Sequence, residues 1–503
     1  MNGNQDPAKT RYNRFLLLVA GLGGLLYGVD VGIISGALPY LEATSGLSAG
    51  QLSFVVAAVL LGSVISTLFA GLLSDSLGRK KMMWLSGILF VISIPVIALA
   101  HGYWPLVLGR LLQGISAGLI GVVVPLYLAE CLEAANRGKG TGIFQWLLTL
   151  GIVAAAFIGL YFSHRVDEVA GLGDPEKLFA AKNIAWRSIF WVSLPPGILF
   201  VAGSFLVAES PRWLFRRGQK DAARVALLRS RSQEQADFEL QEMEETIAAE
   251  AAKSAGARAR ESLLRRKYVA PFLLACVILA CNQATGINSI IGYNATILIQ
   301  AGLGDSQAHL GYLLFTVVNF LVTIGAVVLV DRKGRKFLLS LGSAGVIVSL
   351  VCVGLLFHKT EKLRVDCKDT MQAMVTTNQT LRLAFNQNTA AKLLAGPSAN
   401  ASTPLSLVVI YSYGGFQAAI PPVRSEDATA RPIEISRADC VPANKVIAFF
   451  KNPFANLDAA RVAPLKIDAA LVTPVSGRQN GWLTAICLFS FMVFFAIGPG
   501  VCV

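Results

Sequence analysis

Asp30 stands inside the first apolar run of the chain, in Gly28-Val29-Asp30-Val31-Gly32, and Arg110 lies in another, in Leu108-Gly109-Arg110-Leu111. An Asp at the centre of a membrane helix costs about 2.5–3.5 kcal/mol on insertion scales, so it should face a cavity or a partner. Arg110 is the only other well-buried charge expected in the first half, and both residues sit some way in from the same end of their helices. The pair can be a structural ion pair or a protonation switch. In the switch, charged Asp30 holds Arg110 and neutral Asp30 releases it. Burial favours the neutral acid and a nearby guanidinium favours the carboxylate; opposed pulls of this kind poise a group to exchange a proton.

Carboxamides form a second constellation. Asn282, Gln283, Asn288 and Asn294 fall within 13 residues of one apolar run, beside Tyr293, and Gln145 and Asn319 add two more in other runs. One carboxamide in a membrane helix is as well explained by an interhelical hydrogen bond. Six in three helices fit a polar cavity better. Amides both donate and accept, which suits the vicinal hydroxyls of a sugar. No nucleophile–base constellation is visible, so an enzyme is disfavoured. The eight cysteines show no Cys-x-x-Cys spacing, so no metal site is expected. Gly21, Gly23, Gly24 and Gly28 follow no strand and read as close helix packing rather than a phosphate loop. The four histidines lie near outside helix ends or in loops and receive no role.

The elements that must position these residues are membrane helices. Apolar residues make up 54% of the chain and charged ones 15%, where a soluble protein carries roughly a quarter charged. The apolar residues come in blocks that span a hydrocarbon core of ~30 Å. Ten helices are expected, at 15–41, 52–74, 82–100, 105–129, 140–162, 187–208, 268–301, 310–330, 337–357 and 481–503. The net charge of +13 is placed by topology. Segments 1–14, 75–81, 130–139, 209–267 and 331–336 hold 25 Lys and Arg, while the opposite short loops hold three. That asymmetry puts the N-terminus in the cytoplasm and removes the need for a nucleic-acid partner.

Asp75-Ser76-Leu77-Gly78-Arg79-Lys80 returns as Asp331-Arg332-Lys333-Gly334-Arg335-Lys336, each copy a charged turn between two apolar runs. The echo divides the chain into an N-terminal six-helix half (1–208), a cytoplasmic helical linker (209–267) and a C-terminal half (268–357 and 481–503). Residues 358–480 form an extracytoplasmic insert that is either a small domain or a loop without sustained period. Cys367 and Cys440 both fall in it, so a disulfide there is open. Carrying the 256-residue offset and the insert forward, two more helices are expected beyond Val503, and transport is expected to need them.

Together these motifs resemble the sugar porters of the major facilitator superfamily, which include proton–sugar symporters and glucose facilitators. Besides the paired turns, the resemblance rests on Glu130 with Arg137-Gly138-Lys139, and on Glu209-Ser210-Pro211-Arg212-Trp213-Leu214. Gln283 through Asn288 and Gly498-Pro499-Gly500 complete it. It implies an all-α integral membrane protein of the major facilitator fold, with two pseudo-symmetric six-helix halves, twelve helices in the family and about ten here. Asp30 then matches the proton-coupling Asp of the symporters and Arg110 its partner. Gln145, Gln283, Asn288 and Asn319 match sugar ligands, and Tyr27 an aromatic position facing the sugar. Asn282 and Gly292-Tyr293 stand where the family usually has Gln and a Tyr-Tyr pair, so that side of the pocket should be wider. Asp75, Arg79, Glu130, Arg137, Glu209, Arg212, Asp331 and Arg335 resemble a cytoplasmic latch that holds the halves together when the outside gate is open. The resemblance implies a monomeric, multi-pass carrier in the cytoplasmic membrane, with a sugar as partner, a proton as coupling ion and no other cofactor. A passive facilitator of the same fold, or more remotely a transporter-like sugar sensor, is the alternative.

Overall fold

The computed structural model describes residues 7–256, 266–394, 404–426 and 432–502. Ten helices among them are long and apolar enough to cross a membrane. In the N-terminal half they are α1 (Pro7–Ser45), α2 (Ala49–Leu77), α3 (Arg79–Ala98), α4 (Tyr103–Cys131) and α5 (Ala134–Ala170), with α6 (Pro175–Trp191) and α7 (Leu194–Leu206) together forming the sixth span. Local signals set several starts. Ser48 and Gln51 close a capping box on α2, the Ser48 hydroxyl accepting from Gln51 N at 3.3 Å and Gln51 Oε1 from Ser48 N at 3.0 Å. Asp174 caps α6 ahead of Pro175, so the sixth span begins twelve residues before the expected 187.

The two echoed turns have the same build. Only Gly78 separates α2 from α3, with φ +98° and ψ 157°. In the second half only Gly334, with φ +80° and ψ 151°, separates α14 (Asp305–Lys333) from α15 (Arg335–Glu361). Backbone in this region is open almost only to glycine.

Between the halves, α8 (Pro211–Arg216), α9 (Lys220–Leu228) and α10 (Gln233–Gly256) form the expected linker helices. Leu214, Phe215, Ala223 and Ala226 make a small core of their own there. The seventh span departs from expectation. In place of one helix over 268–301 there are three: α11 (Arg266–Ala284), α12 (Ile287–Gly292) and α13 (Asn294–Gln300). Gly286, in the left-handed region at φ +79°, makes the first break, and Tyr293 the second. The breaks fall within the carboxamide run, where irregular backbone is tolerated if it lines a polar cavity.

The insert is a folded α+β domain. It contains β1 (Val365–Asp366), α16 (Lys368–Ala373), β2 (Leu381–Leu383), α17 (Gln387–Leu394), β3 (Leu405–Tyr413), β4 (Phe416–Ala419), β5 (Val423–Arg424) and β6 (Ile433–Ile435). These are followed by α18 (Arg437–Cys440), α19 (Lys445–Lys451), α20 (Leu457–Val462) and β7 (Leu465–Pro474). β3 pairs antiparallel with β7 along its whole length and with β4 and β5 on its other edge, while β1 extends the sheet beyond β7. Leu405, Leu407, Val409, Tyr411 and Tyr413 all point into the domain core. The chain then returns to a membrane-length helix, α21 (Arg478–Ile497), followed by the short α22 (Pro499–Cys502). Cys367 and Cys440 are buried in this core as free thiols, so the open disulfide is not formed. Cys440 Sγ instead donates to the Phe416 carbonyl at 3.1 Å.

Candidate transport site

α1 approaches α5 so closely that a Cβ on Gly28 would stand 1.9 Å from the Leu148 carbonyl oxygen. This crossing sets Asp30 in the bundle interior. Asp30 Oδ1 lies 3.8 Å from Arg110 Nη1, with the two side chains 1% and 2% exposed. The expected partners therefore meet, but across a gap longer than a hydrogen bond. Arg110 Nη1 donates to Gln113 Oε1 at 2.7 Å, and its guanidinium stands over the Phe190 ring at 5.8 Å. Neither Asp30 oxygen takes a hydrogen bond among the described residues. Gln113 was not singled out in the sequence, although a polar residue three places after Arg110 in an apolar helix was a visible signal. Tyr27, one turn before Asp30, is half-buried and lays its ring edge against Gly121 of α4.

The carboxamides gather around the breaks of the seventh span. Asn288 Nδ2 donates to Gln283 Oε1 at 2.7 Å across Gly286. Asn282 is partly buried, and its Oδ1 has no hydrogen bond among the described residues. Tyr293 is partly buried at the second break. Asn294, which follows it, is fully enclosed, with neither amide atom hydrogen-bonded among the described residues. A buried amide in this state is costly unless a hydroxyl or water meets it. On α14, Asn319 is 7% exposed and its Oδ1 receives a long contact of 3.4 Å from Thr323. Gln145 of α5 is exposed. Its neighbour Trp146 stacks on Phe320 at 5.4 Å, which brings the Gln145 and Asn319 positions of the two halves side by side.

Four of the charged residues, Asp75, Arg79, Glu130 and Glu209, form one tight cluster. Arg79, 3% exposed, donates through Nη2 to Glu130 Oε1 at 2.9 Å, with its Nε 2.8 Å from the other Glu130 oxygen, and pairs with Asp75 at 2.9 Å. Glu209 caps the start of α3, accepting from the backbone N–H of Arg79 and Lys80 at 3.0 Å each. Burial pushes the Glu209 carboxyl up, opposed by the N–H groups of Ser210, Lys80 and Arg79 and by the Arg79 charge. The Ser210 hydroxyl donates to Glu130, while Trp213 and Arg217 bind the Asp75 carbonyl. These contacts bind the N-terminal half to the linker, not one half to the other. Arg212 and Arg335 are exposed, and the side chains of Arg137 and Asp331 lie outside the described residues.

Hydrogen bonds that join the halves, among the described residues, gather in the half of the bundle nearer the inserted domain. Tyr40 donates to Asp305 Oδ2 at 2.7 Å, Tyr312 to the Gly32 carbonyl at 2.9 Å, and Ala295 N to Ser35 Oγ at 3.2 Å. Ser306 donates to Asp167, and His309 reaches the Gly36 carbonyl at 3.2 Å. The two halves are thus joined on the side of the bundle that carries the inserted domain. The sequence reading assigned no role to His309, Asp305 or Tyr40.

The family model for sugar (and other) transporters matches residues 16–394. The glucose transporter GlcP of Staphylococcus epidermidis is 31% identical over 346 residues, 68% of this chain and 72% of that protein. The arabinose-proton symporter of Bacillus subtilis is 31% identical over 347 residues, 68% and 72% of the two chains. Among solved structures, a partially occluded inward open conformation of the xylose transporter XylE from E. coli superposes with a TM-score of 0.59. It shares 25% identity and covers 69% of this chain and 80% of that one. The fold is that of the major facilitator transporters, and the chain belongs to the sugar (and other) transporter family.

Proposed function

We propose that this protein is a proton-coupled monosaccharide symporter that works by alternating access between its two halves. The observation that carries this reading is the enclosed Asp30–Arg110 pair in the same bundle as Asn288, Asn294 and Asn319 of α12 to α14. A sugar is neutral and rich in hydroxyls, so amides can hold it reversibly. Asp30 supplies a group that can take a proton, and Gln113 holds Arg110 ready on the far side of a 3.8 Å gap. A proton on Asp30 removes the attraction across that gap, and its loss restores it, so protonation and helix position are linked. The family membership and relatives named as sugar-proton symporters support the same reading. One proton entering down a membrane potential of 100 mV supplies about 2.3 kcal/mol, enough for roughly fifty-fold accumulation.

The Lys and Arg asymmetry supports a cytoplasmic N-terminus, and membership of the sugar transporter family supports a carrier of the cytoplasmic membrane, read here as a monomer. No cofactor beyond the coupling proton is invoked. The test is sugar-driven proton uptake by the full-length protein in sealed vesicles. Alkalinisation outside on addition of a hexose or pentose is expected. Sugar equilibration without proton movement would establish the passive facilitator instead.

A further inference from the structure

His309 sits in the first turns of α14, fully enclosed, and both of its ring nitrogens face oxygen acceptors. Nε2 points at the Gly36 carbonyl of α1 at 3.2 Å. Nδ1 lies 3.0 Å from the Asp305 carbonyl and 3.3 Å from the Asp305 carboxylate. Neutral imidazole carries one N–H and can satisfy only one of these sides; imidazolium satisfies both. The Tyr40 ring lies parallel to His309, centroids 5.6 Å apart and planes 2° off, a placement that favours a cation. Tyr40 also donates its hydroxyl to the other Asp305 oxygen. The ring fits because Gly36 and Gly159 meet here; a Cβ on Gly159 would stand 3.3 Å from His309 Cδ2.

From this geometry we infer that His309 and Asp305 form a second proton-binding site, set in the seam between the halves, whose bound proton holds the outside gate shut. The groups around it are few. Asp305 is on its own helix, Tyr40 is on α1, and Asp167 and His164 of α5 are bonded to Ser306. Lys182 of α6 acts on Asp305 through its charge. Asp305, Tyr40, Asp167, Lys182 and Glu42 also line a cavity of about 840 Å³ between the outer helix ends and the inserted domain, which gives protons a route from the outside. When the ring loses a proton, one of its two contacts becomes acceptor against acceptor. The seam therefore closes with proton uptake and opens with proton release. Because the site empties to the side from which it filled, its proton does not cross the membrane. It gates, while the proton on Asp30 is the one carried.

The inference rests on the symport reading only for that last distinction, and its test needs no transport. With four histidines in the chain, side-chain nitrogen NMR on the ¹⁵N-histidine-labelled protein can resolve each ring. One imidazolium at pH 8, lost in His309→Gln, is expected. In Asp305→Asn its changeover should move to lower pH by about one unit or more, since the counter-ion is gone. Hydrogen–deuterium exchange over 32–44 and 294–312, corrected for intrinsic rate, should show the wild-type seam loosening as pH rises and His309→Gln loose throughout. A His309 with a single proton at pH 8 while the seam stays protected overturns the proposal. So does a wild-type pH response retained in His309→Gln. Should that variant not fold, the Asp305→Asn titration decides: an unmoved changeover overturns the proposal. Failure of these measurements leaves proton-coupled uptake untouched, and failure of uptake leaves the imidazolium assignment untouched.

Discussion

Asp30 faces Arg110 across 3.8 Å, yet Arg110 gives its hydrogen bond to Gln113. The guanidinium is thus anchored on its own helix and does not depend on the carboxylate for its place. An acid that is close enough to feel a charge but not bonded to it can gain or lose a proton without dismantling the site.

The echoed glycines should respond unequally to a methyl group. Gly78→Ala meets a backbone region that costs about 1–3 kcal/mol for a residue with a side chain, and its Cβ would stand 2.4 Å from Glu209 Oε2. Gly334→Ala carries a similar backbone cost, but nothing described lies within 4 Å. Thermal unfolding in detergent is expected to show the larger loss at Gly78; equal losses would mean that the Glu209 contact contributes little.

Removing the Tyr40 hydroxyl should loosen the outside gate. A hydrogen bond to a charged group contributes about 1.5–3 kcal/mol, so Tyr40→Phe should raise the outward-open population roughly ten-fold or more. Ile34 is 3% exposed and packs near Gly292. Labelling of Ile34→Cys by a membrane-impermeant thiol reagent, applied outside, should rise in the Tyr40→Phe background.

The inserted domain should be destabilised locally. Leu407 is fully buried in its core, so Leu407→Ala should cost about 2–5 kcal/mol, while Val408→Ala, on the partly exposed face of β3, should cost far less. Limited proteolysis is expected to cut within 362–477 in the first variant and spare the second, with the membrane helices intact in both. Because Cys367 and Cys440 are free thiols, a reductant should leave this protease pattern unchanged.

The membrane spans were legible because twenty-residue apolar blocks have few other uses, and the echo of Asp75–Lys80 in Asp331–Lys336 showed where each half folds back. Asp30 and Arg110 were legible because a charge in such a block demands a partner. The sheet was not. Val408 and Ile410 are partly covered on the second face of β3, so the strand reads as a short apolar patch, and its main partner β7 begins more than fifty residues later. The break at Gly286 was hidden because a single glycine in a helical pattern is commonly tolerated. His309 was missed because its decisive contact is a backbone carbonyl on another helix, which no residue type announces. Asp75, Arg79, Glu130 and Glu209 were legible as charges at helix ends, but that Glu209 would cap α3 through backbone N–H groups was not, because residue type does not announce a backbone contact.

Asp30→Asn separates proton coupling from sugar binding. In the full-length protein in energised vesicles, the variant is expected to lose sugar accumulation against a gradient while retaining exchange of labelled for unlabelled sugar. Wild-type accumulation by Asp30→Asn would contradict the assignment of Asp30 as the group that carries the proton.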